Sequence, residues 1–534
     1  MYGKVLSATV TGLSAQIVQV EVDAAYGIPG MELAGLSSSD AKGAKDRVRV
    51  ALKNAGFTCR LGKVTVNLSP ADLRKSGTGF DLAIAIGILL ANERIPVERT
   101  KEVLFVGELG LAGQVRHVNG VLPLICEARE KGIQTAIVPQ DDLEECSLIP
   151  GIRVLGATAL GHVIDWIEGR IELKECRNSG DKTIDSTEEL VKATSGTARD
   201  YRENALCSVD LEKLDFADVH GQMAAKRAAL ICAAGMHNLM LIGPPGSGKT
   251  MIAERIPGIM PELAFEERLE LTKLYSIAGL LDQDRPFISK RPFRSPHFRT
   301  TQSAMIGGGT IPKPGEVTLA SKGVLFLDEM AEFSGPVLET LRGPLEDKKV
   351  TIVRLGNVIT YPADFCLVGA MNPCKCGYFP NRTLCKCSEF DIQRYMKKIS
   401  RPVWDRFDIC IRVERVNFKS LHEVREEKEW TTERMKMLVE KARAAQARRF
   451  AMSDHLFNSQ MNTQEVKMYC RYGREGQKLM EQLFEKQQMT ARGYYKVLKT
   501  ARTVADIEGH DEIRLEDLSE ALMYRSFRDC EIPG

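Results

Sequence analysis

Hydrophobic residues change their spacing several times along the chain. The opening stretch, KVLSATVTGLSAQIVQVEVDA, alternates Val and Ala with polar residues, the period-two pattern of paired strands. DAKGAKDRVRVALKNAGF (40–57) has helical spacing, and VTVNLSP and VLFVGELG read as further strands. Residues 174–205 are polar and almost free of large hydrophobes, which predicts a linker with room for one short helix. From about 209 to 415 strand–helix alternation resumes, and beyond 416 the pattern is almost wholly helical. The expected organisation is a multidomain α/β chain: a mixed α+β domain at 1–172, a linker at 173–208, an α/β module at 209–415 and a helical domain at 416–534.

Length agrees, since 534 residues exceed one ordinary core. The longest apolar run, LAIAIGILLA (82–91), is about half of what a membrane span requires. The N-terminus lacks the continuous apolar core of a signal peptide. A cytoplasmic protein with no membrane partner is expected. The 73 basic and 71 acidic residues leave a net charge of +2, so any nucleic-acid contact must come from a local basic surface. Ten of the 14 cysteines are scattered singly and read as small buried hydrophobes.

LMLIGPPGSGKTMIAERI (239–256) runs from apolar strand through a Gly/Pro-rich turn into a helix. Gly243, Pro244, Pro245, Gly246, Ser247, Gly248, Lys249 and Thr250 complete the G-x-x-x-x-G-K-[ST] pattern. Glycines let backbone N–H groups face a pyrophosphate at the helix N-terminus. Lys249 would neutralise the β- and γ-phosphates of ATP, and the Thr250 hydroxyl would hold Mg²⁺. In SKGVLFLDEMAEF (321–333) a buried strand runs into Asp328 and Glu329, where open α/β sheets bind ligands. Asp328 would order Mg²⁺ through water, and Glu329 would polarise the attacking water.

Three further residues fall into place by resemblance to AAA+ ATPases. Asn372 ends the buried strand of DFCLVGAMNPC and is similar to the sensor residue that holds the attacking water. Arg406, in RPVWDRFDICIRV, resembles the arginine finger of the branch containing replicative helicases and magnesium chelatase; an ordinary pairing with Asp405 or Asp408 is the alternative. Arg492 lies in the first turn of a helix that Thr490 caps and Gly509 stops, with Val497, Leu498, Ala501, Val504 and Ala505 as its apolar stripe. The helix dipole gives a cation no benefit there, and Arg492 resembles the second sensor arginine of a helical lid. An arginine acting in trans implies a ring, most simply a hexamer.

SPHFRTTQSAMIGGGTIPKPGEVTLASKGVLFLDE, LRGPLEDKKVTIVRLGNVITYPADFCLVGAMNPC, GLSSSDAKGAKDRVRVALKNAGF and VTVNLSPADLRKSGTGFDLAIAIGILLA resemble the magnesium-chelatase-like ComM/YifB family across nearly the whole chain, as do TARGY and ALMYRSF near its end. The resemblance implies a Lon-protease-like N-terminal domain, an AAA+ module with inserts and a helical lid. It implies an ATP-driven hexameric DNA helicase that promotes branch migration on single-stranded and branched DNA during natural transformation. The alternative is a chelatase-type remodeller acting on a protein partner. Gly79 and Leu124 stand where a Lon-type protease carries its serine and lysine, so no nucleophile–base pair is expected.

VTIVRLGNVITYP (350–362) reads as a hairpin around Leu355-Gly356-Asn357. Arg354, with Lys348 and Lys349 at its base, could follow a DNA backbone, unless the hairpin is simply a solvated charged one. ISKRPFRSPHFRTT (288–301) interleaves basic and aromatic residues, suited either to stacking single strands or to anchoring an insert. EKEWTTERMKMLVEKARAAQARRF (427–450) reads as a charged, largely solvated helix. Finally, Cys374, Cys376, Cys385 and Cys387 form two Cys-x-Cys pairs able to surround one structural Zn²⁺, with unligated thiols as the alternative.

Overall fold

The computed structural model describes residues 2–57, 62–71, 73, 75, 77–175, 214–281, 287–309, 313–354, 357–415, 430–453, 455–486 and 489–531. These fall into two compact units. The first gathers the described residues of Met1–Asp200, Arg268–Ile288 and Val353–Thr360, and the second those of Tyr201–Glu267, Ser289–Ile352 and Tyr361–Gly534. Two short segments from far along the chain thus belong with the N-terminal residues.

In the first unit the alternating opening folds as expected. Tyr2–Thr11 and Ser14–Ala25 pair antiparallel, with Val5 opposite Val20. Successive residues face opposite sides: Val18, Val20 and Val22 enter one core, while Ala15 and Ile17 serve the other. The eight-stranded sheet runs Lys174–Glu175, Arg153–Ala157, Thr135–Pro139, Val103–Phe105, Tyr2–Thr11, Ser14–Ala25, Lys63–Ser69, Gly30–Ala34. The apolar run at 82–91 is a fully buried helix, Asp81–Ala91, packed on the first two strands. Among the described residues no helix is long and apolar enough to cross a membrane. Of the segment expected as a linker, Lys174–Glu175 pair with Arg153–Ala157, and 176–208 lie outside the described residues.

The second unit is built on a five-stranded parallel sheet ordered Phe293–Arg294, Val324–Leu327, Cys366–Met371, Leu239–Ile242, Ile409–Arg412. Its three inner strands are buried throughout, so they read as continuous apolar runs rather than alternations. Helices Met223–Gly235 and Lys249–Ile259 join the core with Met435, Val439 and Ala442 of Thr432–Arg449, the charged helix that keeps its other faces in solvent. Helix Ala491–Glu508 is capped by the Thr490 hydroxyl and ends at Gly509, whose φ is +87°; all five stripe residues are buried. Lys349–Arg354 and Asn357–Pro362 pair as the expected hairpin, of which Val353–Thr360 is counted with the first unit, with 355–356 outside the described residues.

Candidate nucleotide site

The inner strand Leu239–Ile242 delivers the chain to the phosphate loop, and the helix beginning at Lys249 carries it away. Gly246 and Gly248 have φ of +72° and +88°, a region that a side chain makes costly, so glycine is what lets the loop turn its amides inward. Lys249 donates to the carbonyls of Gly243 (2.7 Å) and Pro244 (3.0 Å) and to Asn372 Oδ1 (3.3 Å). The Thr250 hydroxyl donates to Asp328 Oδ2 at 3.0 Å. Burial lowers the Lys249 ammonium below its ordinary value, while Asp328 and Glu329 pull the other way. Glu329 sits in the left-handed region at φ +48°, its N–H bonded to Asp328 Oδ1.

These groups line one cavity of about 630 Å³. The sequence pattern brought together Pro245 to Thr250, Asp328, Glu329 and Asn372; the structure adds Asp218, Val219, His220 and Gln222 as a further wall. Gln222 donates to the carbonyls of Ser247 and Glu414, tying that wall to the phosphate loop. The only trace in sequence was a polar break, DVHGQ, before an apolar helix. The Thr250 hydroxyl beside the Asp328 carboxylate is a donor set that fits Mg²⁺, a hard cation taking oxygen ligands.

Arg406 and Arg492 are not among the residues lining this cavity. Both guanidinium groups meet one oxygen of Glu346, at 2.8 and 3.3 Å. Of the two carboxylates offered as alternatives for Arg406, Asp405 and Asp408, it is Asp408 that takes Lys496 instead, at 2.7 Å. Burial alone would raise that carboxyl, but Lys496 and His237 outweigh it and hold it far below the usual range.

Next to the site lie the four cysteines. Their sulfurs are all within 4.8 Å of one another, with Cys374–Cys376 at 3.3 Å, Cys376–Cys385 at 3.5 Å and Cys374–Cys385 at 3.7 Å. These are not disulfide lengths, and all four thiols are free. A tetrahedral zinc thiolate with Zn–S of about 2.3 Å puts sulfurs about 3.8 Å apart. Desolvation alone would raise the Cys376 thiol, yet the Tyr378 amide and the neighbouring thiols draw it down to about 6, while desolvation and the other sulfurs push Cys385 up to about 12 and Cys387 up as well, so the thiols favour one negative charge among them rather than several. Between the pairs, Gly377 lies on the phosphate loop: a Cβ there would be 2.5 Å from Pro245 Cδ.

Of the basic residues considered for DNA, Lys348 pairs with Asp364 at 3.3 Å and Lys349 is exposed. Arg354 ends its strand, and its side chain lies outside the described residues. In 288–301 the anchoring alternative holds for part of the segment. Arg291 is buried and donates to the carbonyls of Pro261 and Lys322, Arg294 forks onto Glu316, and Phe293 enters the core. In the first unit Leu124 is buried, and a Cβ on Gly79 would stand 3.2 Å from Val118.

A P-loop on an inner strand of a parallel sheet, faced by Asn at the end of the adjacent strand and by Asp-Glu at the end of the next, defines a nucleotide-binding module of the magnesium-chelatase AAA+ class. Comparisons agree. The families described as "Magnesium chelatase, subunit ChlI", "Subunit ChlI of Mg-chelatase" and "Magnesium chelatase, subunit ChlI C-terminal" match residues 215–421, 20–142 and 429–525. Competence protein ComM of Haemophilus influenzae is 38% identical over 98% of this chain and 97% of its own. YifB of Escherichia coli, itself uncharacterized, is 37% identical over 96% and 95%. Lon protease 2 of Bacillus subtilis matches 24% of this chain and 23% of its own, at 29% identity. The chain belongs to the ComM/YifB family.

Proposed function

We propose that the protein hydrolyses ATP as a ring of like subunits, most simply a hexamer, and spends the energy moving on single-stranded and branched DNA in the cytoplasm. The process is branch migration as incoming DNA recombines with the chromosome in natural transformation. One observation carries the ATP half: Lys249 bonded to Asn372 and Thr250 bonded to Asp328 around a single cavity. Lys249 exchanges its carbonyl partners for β- and γ-phosphate oxygens when ATP enters. Asn372 holds the attacking water, and Glu329 takes its proton. Thr250, and Asp328 through water, would hold Mg²⁺, which would supply positive charge against the phosphates. Arg406 and Arg492 answer the γ-phosphate as trans finger and second sensor.

The DNA half is supported by the competence name of the Haemophilus influenzae relative and by the hairpin basic residues Arg354, Lys349 and Lys348. Zn²⁺ on Cys374, Cys376, Cys385 and Cys387 is a structural clip beside the phosphate loop, a reading supported by the sulfur spacing. The pairing of Lys348 with Asp364 favours a second reading, a remodeller of a protein partner, because it removes one hairpin charge from DNA. ATP turnover of purified protein, measured with and without single-stranded and branched DNA, separates the two. The motor reading expects stimulation and ATP-dependent movement of a labelled junction. Turnover indifferent to DNA with the junction unmoved overturns it.

A further inference from the structure

Arg406 and Arg492 arrive by different routes at the same carboxylate. Asn238 fixes the backbone of Arg406 by donating to its carbonyl at 2.9 Å. The Thr490 cap sets the first helical turn that carries Arg492. Their tips then share Glu346 Oε1. Glu339, the acidic residue beside the same arginine, is engaged by Arg342 at 2.9 Å and by Ser400. The Arg406 side chain is 9% exposed, and its buried Nε has no hydrogen-bond partner among the described residues. Arg492 by contrast is 72% exposed. A buried guanidinium with a free donor and an exposed one beside it form an incomplete anion site, and neither faces the cavity of its own subunit.

We propose that Glu346 is a positioning residue for ATP hydrolysis: it gathers Arg406 and Arg492 into one two-guanidinium fork and yields that fork to the γ-phosphate of ATP held by a second copy of this chain. The proposal rests on the ring ATPase reading above. Two guanidinium groups repel each other, and the first turn of a helix disfavours a cation, so Arg492 has no electrostatic reason to approach Arg406 without the carboxylate. Carboxylate and phosphate present similar oxygen edges to the planar guanidinium donors, so the incoming phosphate can take over the bonds that Glu346 holds. The unpartnered Nε of Arg406 supplies one donor more than Glu346 uses.

The test is Glu346→Gln in the full chain, which keeps the shape and removes the charge. Expected is a kcat for ATP about tenfold lower with KM within about twofold, because the subunit's own cavity is untouched. In an Arg492→Ala background the same substitution should cost less than it does alone, since one of the two arginines it releases is already gone. Mixing Glu346→Gln chains with Lys249→Ala chains, whose forks are intact, should raise turnover above that of either alone. Wild-type kcat in Glu346→Gln, multiplying losses in the double variant, or no gain on mixing would each overturn the inference. If Gln lowers the melting temperature, Glu346→Asp decides: it should recover most of kcat, and failure to do so counts against positioning. A wild-type chain that binds ATP without hydrolysing it sinks the underlying ATPase reading instead.

Discussion

Lys249 and Glu329 stand a short distance apart and should fail in different ways. The Lys249 ammonium is buried and meets three oxygens of the protein, each a placeholder for a phosphate oxygen. Lys249→Ala removes a charge-assisted contact to ATP worth about 1.5–3 kcal/mol, so nucleotide affinity should drop by about 10- to 100-fold in a titration with labelled ATP. Glu329→Gln leaves that contact intact and removes the base. Binding should persist while turnover falls by about 10²–10⁴-fold. A Glu329→Gln chain that hydrolyses at the wild-type rate would deny Glu329 its role. Lys249, Thr250 and Asp328 were legible because a strand–turn–helix and a strand end fix their own local geometry. His220, Gln222 and Glu346 were not, because their importance comes from partners distant in sequence.

At the scale of elements, the four-cysteine loop is the piece whose removal should be felt beyond itself. It starts two residues after Asn372, and the Gly377 backbone rests on Pro245 of the phosphate loop. Zinc at the four sulfurs would fix that backbone, so purified protein should carry about one zinc per chain. Stripping it, or replacing Cys374 and Cys387 by Ser, should raise the KM for ATP and lower turnover by about tenfold, since displacing a positioning group by about 1 Å can cost up to 10²-fold. Metal analysis with ATP titration checks both; carefully prepared protein without zinc ends the idea. The cysteine spacing announced the cluster but not its contact with Pro245. Likewise, the pattern gave the hairpin and the Thr490 cap from local turn and cap chemistry. It did not show that 268–288 and 353–360 group with the N-terminal residues, because such packing leaves no periodic trace. The segment of Arg291 and Arg294 left strand stacking and insert anchoring equally open for the same reason: their carbonyl and Glu316 partners lie elsewhere in the chain.

For the whole molecule, a net charge of +2 and the order of elements say nothing of assembly. What points to a ring is the displacement of two arginines away from the cavity they should serve. If Arg406 reaches a neighbour, an Arg406→Ala chain has a sound ATP cavity and no finger to offer, while a Lys249→Ala chain has a finger and, at ATP kept well below its weakened Kd, an empty cavity. Each alone should be nearly inactive, the first because a trans arginine contributes about 10³–10⁵ in rate. Mixed in equal amounts and allowed to reassemble, they create sites in which an Arg406→Ala cavity faces an intact Arg406 from a Lys249→Ala neighbour. Random mixing makes about one site in four of this kind, so turnover should recover to at most about a quarter of wild type if the sites fire independently. Tight coordination around the ring would lower that figure but leave it above the sum of the parts. An arginine working within its own chain gives no such recovery at any ratio, and a flat mixing curve would therefore remove the ring from the mechanism while leaving the nucleotide site intact.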